Sequence, residues 1–144
     1  MKLEEVYELW SKDCEIDQTN ISNESANIAK LHNKYYAIYI QESIKYKKLK
    51  ADLKQLTHLK GEYYRGELTV EELSEYGWEP QPLKILKSDV PSYVDSDKDV
   101  INLSLKIGTQ QEKVDYLESI IRMITNRGFQ LKTIVDWERF RTGA

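Results

Sequence analysis

Residues 100–124 read VINLSLKIGTQQEKVDYLESIIRMI, and the spacing of their apolar side chains decides the fold class. The apolar residues recur in alternating steps of three and four, interrupted once by Gln110; they are Val100, Leu103, Ile107, Val114, Leu117, Ile121 and Ile124. A heptad seam of this length is typical of a helix that packs along other helices in a coiled coil. The seam therefore predicts a long helix and favours an oligomer. Gln110 either fixes the register of this packing or is a passenger within it.

Cap residues predict the limits of this helix. Asp95 or Ser96 is positioned to cap its N-terminus, where acidic side chains also favour the helix dipole. The helix is expected to end at Arg127, with Gly128 as the left-handed residue that terminates it. A last short helix is predicted from about Lys132 to Arg141, and it presents Ile134, Trp137 and Phe140.

A second apolar stripe predicts an even longer helix, from about Ser22 to Arg65. Neither Pro nor Gly interrupts this span before Gly61, although Glu42 and Lys45 break the stripe midway. Its apolar members are Ile28, Leu31, Tyr35, Ile38, Tyr39, Tyr46, Leu49, Leu53, Leu56, Leu59 and Tyr63. A helix of this span is about 65 Å long. It must therefore pack along its length on another long helix.

The remaining segments are shorter. Residues from about Lys2 to Asp13 form an amphipathic pattern, and a polar break follows at Asp17–Asn20. Residues 66–93 lose the periodicity and are predicted as an irregular connection between the two long helices. Within it, Thr69 and Glu72 make a capping box for one or two turns. Residues 84–90 are either extended or a short turn.

Composition agrees with a helical fold. Charged residues make up 31% of the 144 residues, and Gly and Pro together number only nine, six and three respectively. These features predict one all-α domain over residues 1–144, built as a long helical hairpin with short terminal helices. The single cysteine excludes an internal disulfide, and no apolar run approaches the roughly 20 residues that span a bilayer. A soluble, intracellular protein is expected.

The charge is distributed unevenly along the chain. The net charge is −3, but residues 45–60 contain six Lys against one Asp, a balance of +5. The flanking segments are acidic: residues 1–20 sum to −4 and residues 61–79 to −5. A basic block within an acidic protein is a candidate surface for phosphate. The plainer interpretation is a solvated helix face.

Three groups of residues resemble one known family. The opening Met1–Glu5, followed by Asp13 and Ile16-Asp17, is similar to the start of the family. Glu62-Tyr63-Tyr64 resembles its acidic-Tyr-Tyr pattern. The C-terminal matches are Asp97-Lys98-Asp99-Val100 and Arg127-Gly128-Phe129, followed by Lys132, Ile134, Asp136 and Phe140. On these residues the chain resembles the UvsY family, the recombination mediator proteins of T4-like phages.

The resemblance implies a non-enzymatic protein without cofactor or metal. It implies a ring-like homo-oligomer of six or seven subunits that binds single-stranded DNA in the cytoplasm of the infected bacterial host. In that role it helps a RecA-like recombinase to displace the phage single-stranded DNA-binding protein, in recombination and in recombination-dependent replication and repair. The alternative from another class is a structural coiled-coil scaffold without a direct DNA role.

The candidate site residues come from the basic block and the seam. Where the family has Leu-Lys-Ala-Arg before its acidic-Tyr-Tyr pattern, this chain has Thr57, His58, Leu59 and Lys60. The candidate DNA-binding residues are Lys45, Lys47, Lys48, Lys50, Lys54, His58 and Lys60. The candidate oligomer interface is formed by Leu103, Ile107, Gln110, Val114, Leu117, Ile121 and Ile124. Off the apolar stripe, Tyr36 and Tyr64 are candidates for stacking on bases.

No catalytic or metal site is predicted. Cys14, His32 and His58 fall at no zinc spacing. The acids from Asp95 to Asp99 match the first ligand positions of a calcium-binding loop. The sequence that follows lacks the central Gly and the final Glu of such a loop. No Gly-rich phosphate loop is present, which argues against hydrolysis of ATP.

Overall fold

The computed structural model describes residues 1–143, and all the regular secondary structure in this range is helical. In chain order the helices are α1 (Leu3–Asp13), α2 (Ile21–Ala26), α3 (Ile28–Tyr64), α4 (Val70–Tyr76), α5 (Val90–Asp95), α6 (Lys98–Thr125) and α7 (Arg127–Thr142). The all-α prediction is confirmed. Among residues 1–143, no helix combines the length and the apolar character that crossing a membrane requires.

The predicted helix from Ser22 to Arg65 is divided in two. A turn at Asn27 separates α2 from α3, which has 37 residues and is therefore about 55 Å long. The Asn20 side chain caps α2 by accepting a hydrogen bond from the Asn23 N–H at 3.2 Å. Residues 20–27 contain three Asn and two Ser, whose side chains compete with the helix for backbone hydrogen bonds. This local chemistry explains the break.

Both predicted limits of α6 are wrong. Its cap is Asp97, whose Oδ1 accepts the N–H groups of Asp99 at 2.8 Å and Val100 at 3.2 Å. Ser96 instead ends α5. At the other end α6 stops at Thr125, and Gly128 lies inside α7 without a positive φ. The chain therefore passes from α6 to α7 with almost no linker.

The connection at residues 66–93 is more ordered than predicted. The capping box of α4 is present, with reciprocal hydrogen bonds of 3.2 Å between Thr69 and Glu72. Gly77 ends that helix in the left-handed conformation, at φ +70°. Residues 87–89 form a turn that leads into α5, whose Val90 and Val94 are buried. No sequence pattern predicted α5, because it is a single short stretch of six residues.

The chain divides into two compact units, and α3 and α6 contribute residues to both. Unit 1 contains residues 1–44 together with the C-terminal part of the chain from Gln111. Its core is formed by Val6, Tyr35, Leu117, Ile120 and Ile124, none more than 2% exposed. Unit 2 contains residues 45–110, with a core of Val90, Val94 and Val100 against Leu53, Leu56, Tyr64 and Ile85.

A buried arginine joins the ends of unit 1. The Arg127 guanidinium, on a residue only 4% exposed, donates to the carbonyls of Asp13, Cys14 and Glu15 at 3.0–3.2 Å. It thereby satisfies the C-terminal carbonyl groups of α1. Burial acts to raise the pKa of Asp13, but hydrogen bonds from Lys34 and Tyr35 outweigh it, so this pKa lies below its usual value. The Arg of the Arg127-Gly128-Phe129 motif is therefore a structural residue.

Candidate nucleic-acid interface

A basic stripe lies on the part of α3 that belongs to unit 2. Lys47, Lys50, Lys54 and His58 follow each other at steps of three, four and four residues. At about 100° per residue, these four side chains fall within about 40° of Lys54 around the helix. All four are exposed, and they extend over about 16 Å of the helix axis. We call these four residues the basic stripe.

The lysines of the basic stripe carry charge that the chain itself does not neutralise. Within residues 1–143, Lys47, Lys50 and Lys54 make no ion pair with a carboxylate. The Lys50 ammonium instead lies 5.1 Å from the ring centroid of Tyr46. The exposed ammonium groups are therefore available to anions in solution.

Three further residues of the predicted basic block differ in their position around α3. Lys48 is exposed but lies about 120° around the helix from Lys54, and Lys45 lies on about the opposite side of the helix. His58 is on the stripe, with a side chain 76% exposed and Nε2 3.0 Å from Oε1 of Glu62. When protonated, it pairs with that carboxylate.

Lys60 does not lie on the stripe. It is only 4% exposed, and its ammonium lies 3.2 Å from Asp97 Oδ2 and 2.9 Å from Asp99 Oδ2. The sequence offered Lys60 as a phosphate contact, and its burial corrects that prediction. A charged side chain enters a protein interior only when paired, and here the partners come from the start of α6.

The two tyrosines proposed for base stacking are both engaged. The ring of Tyr36, which is 46% exposed, lies between His32 and Tyr39, at centroid distances of 5.5 and 5.9 Å. The Tyr64 hydroxyl donates to Asp97 at 2.6 Å. Burial, together with this hydrogen bond, raises the pKa of Tyr64. The Tyr64 ring also lies beside those of Tyr63 and Tyr93, at centroid distances of 5.1 and 5.7 Å, so neither tyrosine presents a ring free of aromatic neighbours.

The heptad seam is directed largely into the chain itself. Leu117 and Ile124 have no exposed surface, and Val100 and Gln110 are also buried, at 6% and 8% exposure. The remaining seam residues are half-buried: Leu103, Ile107, Val114 and Ile121. The prediction of an oligomer interface at Leu117 and Ile124 is corrected by this burial, since no surface remains there for a partner.

Two apolar patches remain exposed on unit 1. The outer face of α7 presents Phe129, Trp137 and Phe140, at 73%, 62% and 78% exposure. Phe129 and Phe140 lie about opposite the buried Leu131, and Trp137 lies about 120° around the helix from it. The Trp137 and Phe140 rings stack at 5.7 Å. The second patch, on α3, presents only uncharged residues at its exposed positions, which are Tyr36, Ala37, Ile40, Gln41 and Ile44. We call these surfaces the α7 outer face and the α3 ridge.

The sequence predicts part of the α7 outer face but not the α3 ridge. The predicted last helix presents Trp137 and Phe140. Ile40 and Ile44 continue the spacing of Tyr36 at steps of four, which was the available signal. The long apolar stripe on the neighbouring face of α3 obscured it.

The chain resembles known proteins over nearly its whole length. A family model described as "Recombination, repair and ssDNA binding protein UvsY" matches residues 9–144. The recombination protein uvsY of Enterobacteria phage T4 is 29% identical over 145 residues, covering 99% of each chain.

The fold also matches solved structures. One crystal structure of the bacteriophage T4 recombination mediator protein UvsY superposes with a TM-score of 0.83 at 25% identity, covering 99% of this chain and 98% of that chain. A second lattice type gives 0.83 at 24% identity, covering 97% and 99%. Because the family model covers far more than half of the sequence, the chain belongs to the UvsY family, and this membership supports a role in DNA recombination and repair.

Proposed function

We propose that this protein is a recombination mediator that binds single-stranded DNA through the basic stripe. It acts by binding, without catalysis, in the cytoplasm of the infected host. There it promotes loading of a RecA-like phage recombinase onto DNA covered by single-stranded DNA-binding protein. The observation that carries the proposal is the basic stripe: exposed, unpaired lysines on one helix face of a protein whose net charge is −3.

The chemistry of the stripe fits a phosphate backbone. Lys presents a strongly hydrated point charge, which attracts phosphate without reading bases. Neutralising phosphates releases counterions, so the affinity should fall steeply with salt and depend little on sequence. One stripe offers few contacts, and an oligomer repeats it in every subunit. Repetition turns weak contacts into avidity.

The first test removes the three lysines of the stripe. Lys47→Ala, Lys50→Ala and Lys54→Ala together should flatten the dependence of log affinity on log salt by about 2 per stripe engaged, because each single-strand contact contributes about 0.7. Fluorescence anisotropy with a labelled oligonucleotide, repeated from low to high salt, measures the slope.

The matched control changes the same net charge elsewhere on unit 2. Lys84→Ala, Lys87→Ala and Lys106→Ala remove three exposed lysines outside the stripe and should leave the slope near that of the unaltered protein. Equal slopes for the two triple variants would reject the stripe. A slope near zero in the unaltered protein would favour the scaffold function instead.

A single substitution should strengthen the stripe. His58→Lys places a permanent charge about 40° around the helix from Lys54. We expect tighter single-strand binding and a slope steeper by about 0.7 per stripe. Gln55→Lys lies on α3 about 100° from Lys54 and serves as the control for added charge. An equal gain from both variants would show that net charge, and not position, governs binding.

Assembly is the second part of the proposal. The protein forms a ring of six or seven subunits, in which the α7 outer face of one subunit covers the α3 ridge of the next. A helix that is apolar on two opposite faces needs a partner on each, and α7 already covers its inner face through Leu131. Depletion of charge marks the core of protein interfaces, and the α3 ridge has no charged residue at an exposed position, although 31% of the chain is charged.

The two patches have comparable lengths. The α3 ridge extends about 12 Å from Tyr36 to Ile44, and the α7 outer face about 16 Å from Phe129 to Phe140. A contact between two different patches is heterologous, and a heterologous contact that closes produces a ring. Covering both patches with one type of contact leaves neither in water. This is the physical reason to pair them.

A further inference from the structure

Two motifs that lie 33 residues or more apart in sequence meet inside unit 2, because Tyr64 donates to Asp97 and Lys60 pairs with Asp97 and Asp99. We infer that Lys60, Tyr64 and Asp97 form a clasp that holds the last turns of α3, and that Lys60 is a positioning residue for the basic stripe and not a phosphate ligand. The inference rests on the proposed DNA-binding function of the stripe.

The surroundings of Lys60 leave its ammonium no room for phosphate. Besides the two carboxylates, the ammonium lies 3.8 Å from the ring centroid of Trp78 and 5.4 Å from that of Tyr63. The Tyr63 hydroxyl donates to the Glu79 carbonyl at 2.7 Å, which fixes the segment that carries Trp78. A phosphate contact would break the buried ion pair with Asp97, the ion pair with the more exposed Asp99 and a cation–π contact, and it would leave the Asp97 carboxylate without its cation.

Asp97 is the centre of the clasp. Its carboxylate accepts hydrogen bonds from Tyr64 Oη, Lys60 Nζ and the N–H groups of Asp99 and Val100. Burial acts to raise the pKa of Asp97, but these hydrogen bonds outweigh it and hold this pKa below its usual value. One side chain therefore caps α6 and ties it to α3.

The clasp acts on the stripe through helix order. α3 ends at Tyr64, so Lys54 and His58 lie within its last three turns, where unrestrained helices fray. Only an ordered helix places these side chains in line with Lys47 and Lys50. If the helix end frays before DNA binds, the apparent affinity equals the intrinsic affinity multiplied by the fraction of molecules in which this end is ordered. The bound state keeps the same phosphate contacts.

This mechanism predicts that the affinity for single-stranded DNA and the slope of log affinity against log salt respond to different substitutions. Lys60→Met should weaken single-strand binding by the same factor at every salt concentration and leave the slope unchanged. Lys54→Met, at an exposed position on the same helix, should lower the slope by about 0.7 per stripe. Backbone hydrogen exchange of residues 55–64 should be faster in Lys60→Met and unchanged in Lys54→Met.

Tyr64→Phe removes only the hydroxyl that donates a hydrogen bond to Asp97. This variant provides a second test if Lys60→Met does not fold. It should shift affinity and hydrogen exchange in the same direction by a smaller amount. A Lys60→Met or Tyr64→Phe protein with normal exchange at residues 55–64 would overturn the clasp. A slope for Lys60→Met as low as that for Lys54→Met would overturn the positioning role.

The decisive measurement uses the unaltered protein. Acetylation of lysines, followed by mass spectrometry, should label Lys60 at least about tenfold more slowly than Lys54 in the free protein, and DNA should leave the labelling rate of Lys60 unchanged. Added oligonucleotide should protect Lys54. Equal labelling of Lys60 and Lys54 in the free protein, or labelling of Lys60 that DNA suppresses, would reject the inference. If instead Lys54 gains no protection while Lys60 stays slow, the proposed DNA function of the stripe fails and the clasp stands.

Discussion

Leu117→Asp should unfold the protein. Leu117 has no exposed surface and packs in the core of unit 1 with Val6, Tyr35 and Ile124. Removing a buried Leu side chain costs about 2–5 kcal/mol, and a buried, unpaired carboxylate adds to that cost. Because small domains are stable by about 5–15 kcal/mol, the sum removes most or all of the stability. Far-UV circular dichroism should show lost helix, and urea titration a strongly lowered midpoint.

The control for this substitution is Leu105→Asp. Leu105 lies on the same helix, α6, but is 67% exposed, so a carboxylate there stays in water. We expect a helical spectrum and a nearly unchanged urea midpoint. A helical, monomeric Leu117→Asp protein would show that the seam joins subunits, in disagreement with the burial of Leu117.

If the proposed ring forms through these patches, Trp137→Asp and Ile40→Asp should each abolish it and leave a helical monomer. Each places a carboxylate at the centre of one apolar patch, the α7 outer face or the α3 ridge. Loss of a central aromatic anchor typically weakens an interface by about 2–4 kcal/mol, which raises the dissociation constant by about 30- to 1,000-fold. Sedimentation velocity or native mass spectrometry gives the number of subunits.

A mixture of the two variants tests the pairing of the patches. If the contact is head to tail, each Trp137→Asp molecule keeps an intact ridge and each Ile40→Asp molecule keeps an intact α7 outer face. The mixture should then form one-to-one heterodimers that cannot close. A mixture that stays monomeric, or either variant alone that still assembles, would reject this pairing. Gln130→Asp, on an exposed polar position of α7, should assemble normally.

The same variants connect assembly to DNA binding. A helical monomer retains its basic stripe, but it loses the high effective concentration that neighbouring stripes provide. We expect single-strand affinity to fall by about 10²-fold or more without any change of a lysine. Stimulation of the cognate recombinase on DNA coated with single-stranded DNA-binding protein should be lost as well. A monomer that binds as tightly as the ring would show that avidity is not the mechanism.

The local parts of the fold followed from the sequence because their causes are local. Thr69 and Glu72 lie three residues apart, and their capping box forms between those two residues alone. The spacing of Lys47, Lys50 and Lys54 likewise fixes the face of α3 on which they lie, once that segment is helical. The predicted cap at Asp95 or Ser96 failed for the opposite reason. Several acids near the start of α6 can cap it, and the contacts of Asp97 with Lys60 and Tyr64 single out one of them.

The sequence by itself determined the helical class, the basic block and the family, because periodicity, charge runs and motifs are properties of neighbouring residues. Tertiary structure decided which apolar faces are covered and which charges are buried. Leu117 packs in a core within one chain. Arg127 is buried against the carbonyl groups of residues that lie 112–114 positions earlier in the chain. Lys60 is likewise buried by carboxylates from another helix. A sequence pattern shows that a side chain needs a partner, but only the folded chain supplies it, since such partners are distant in sequence.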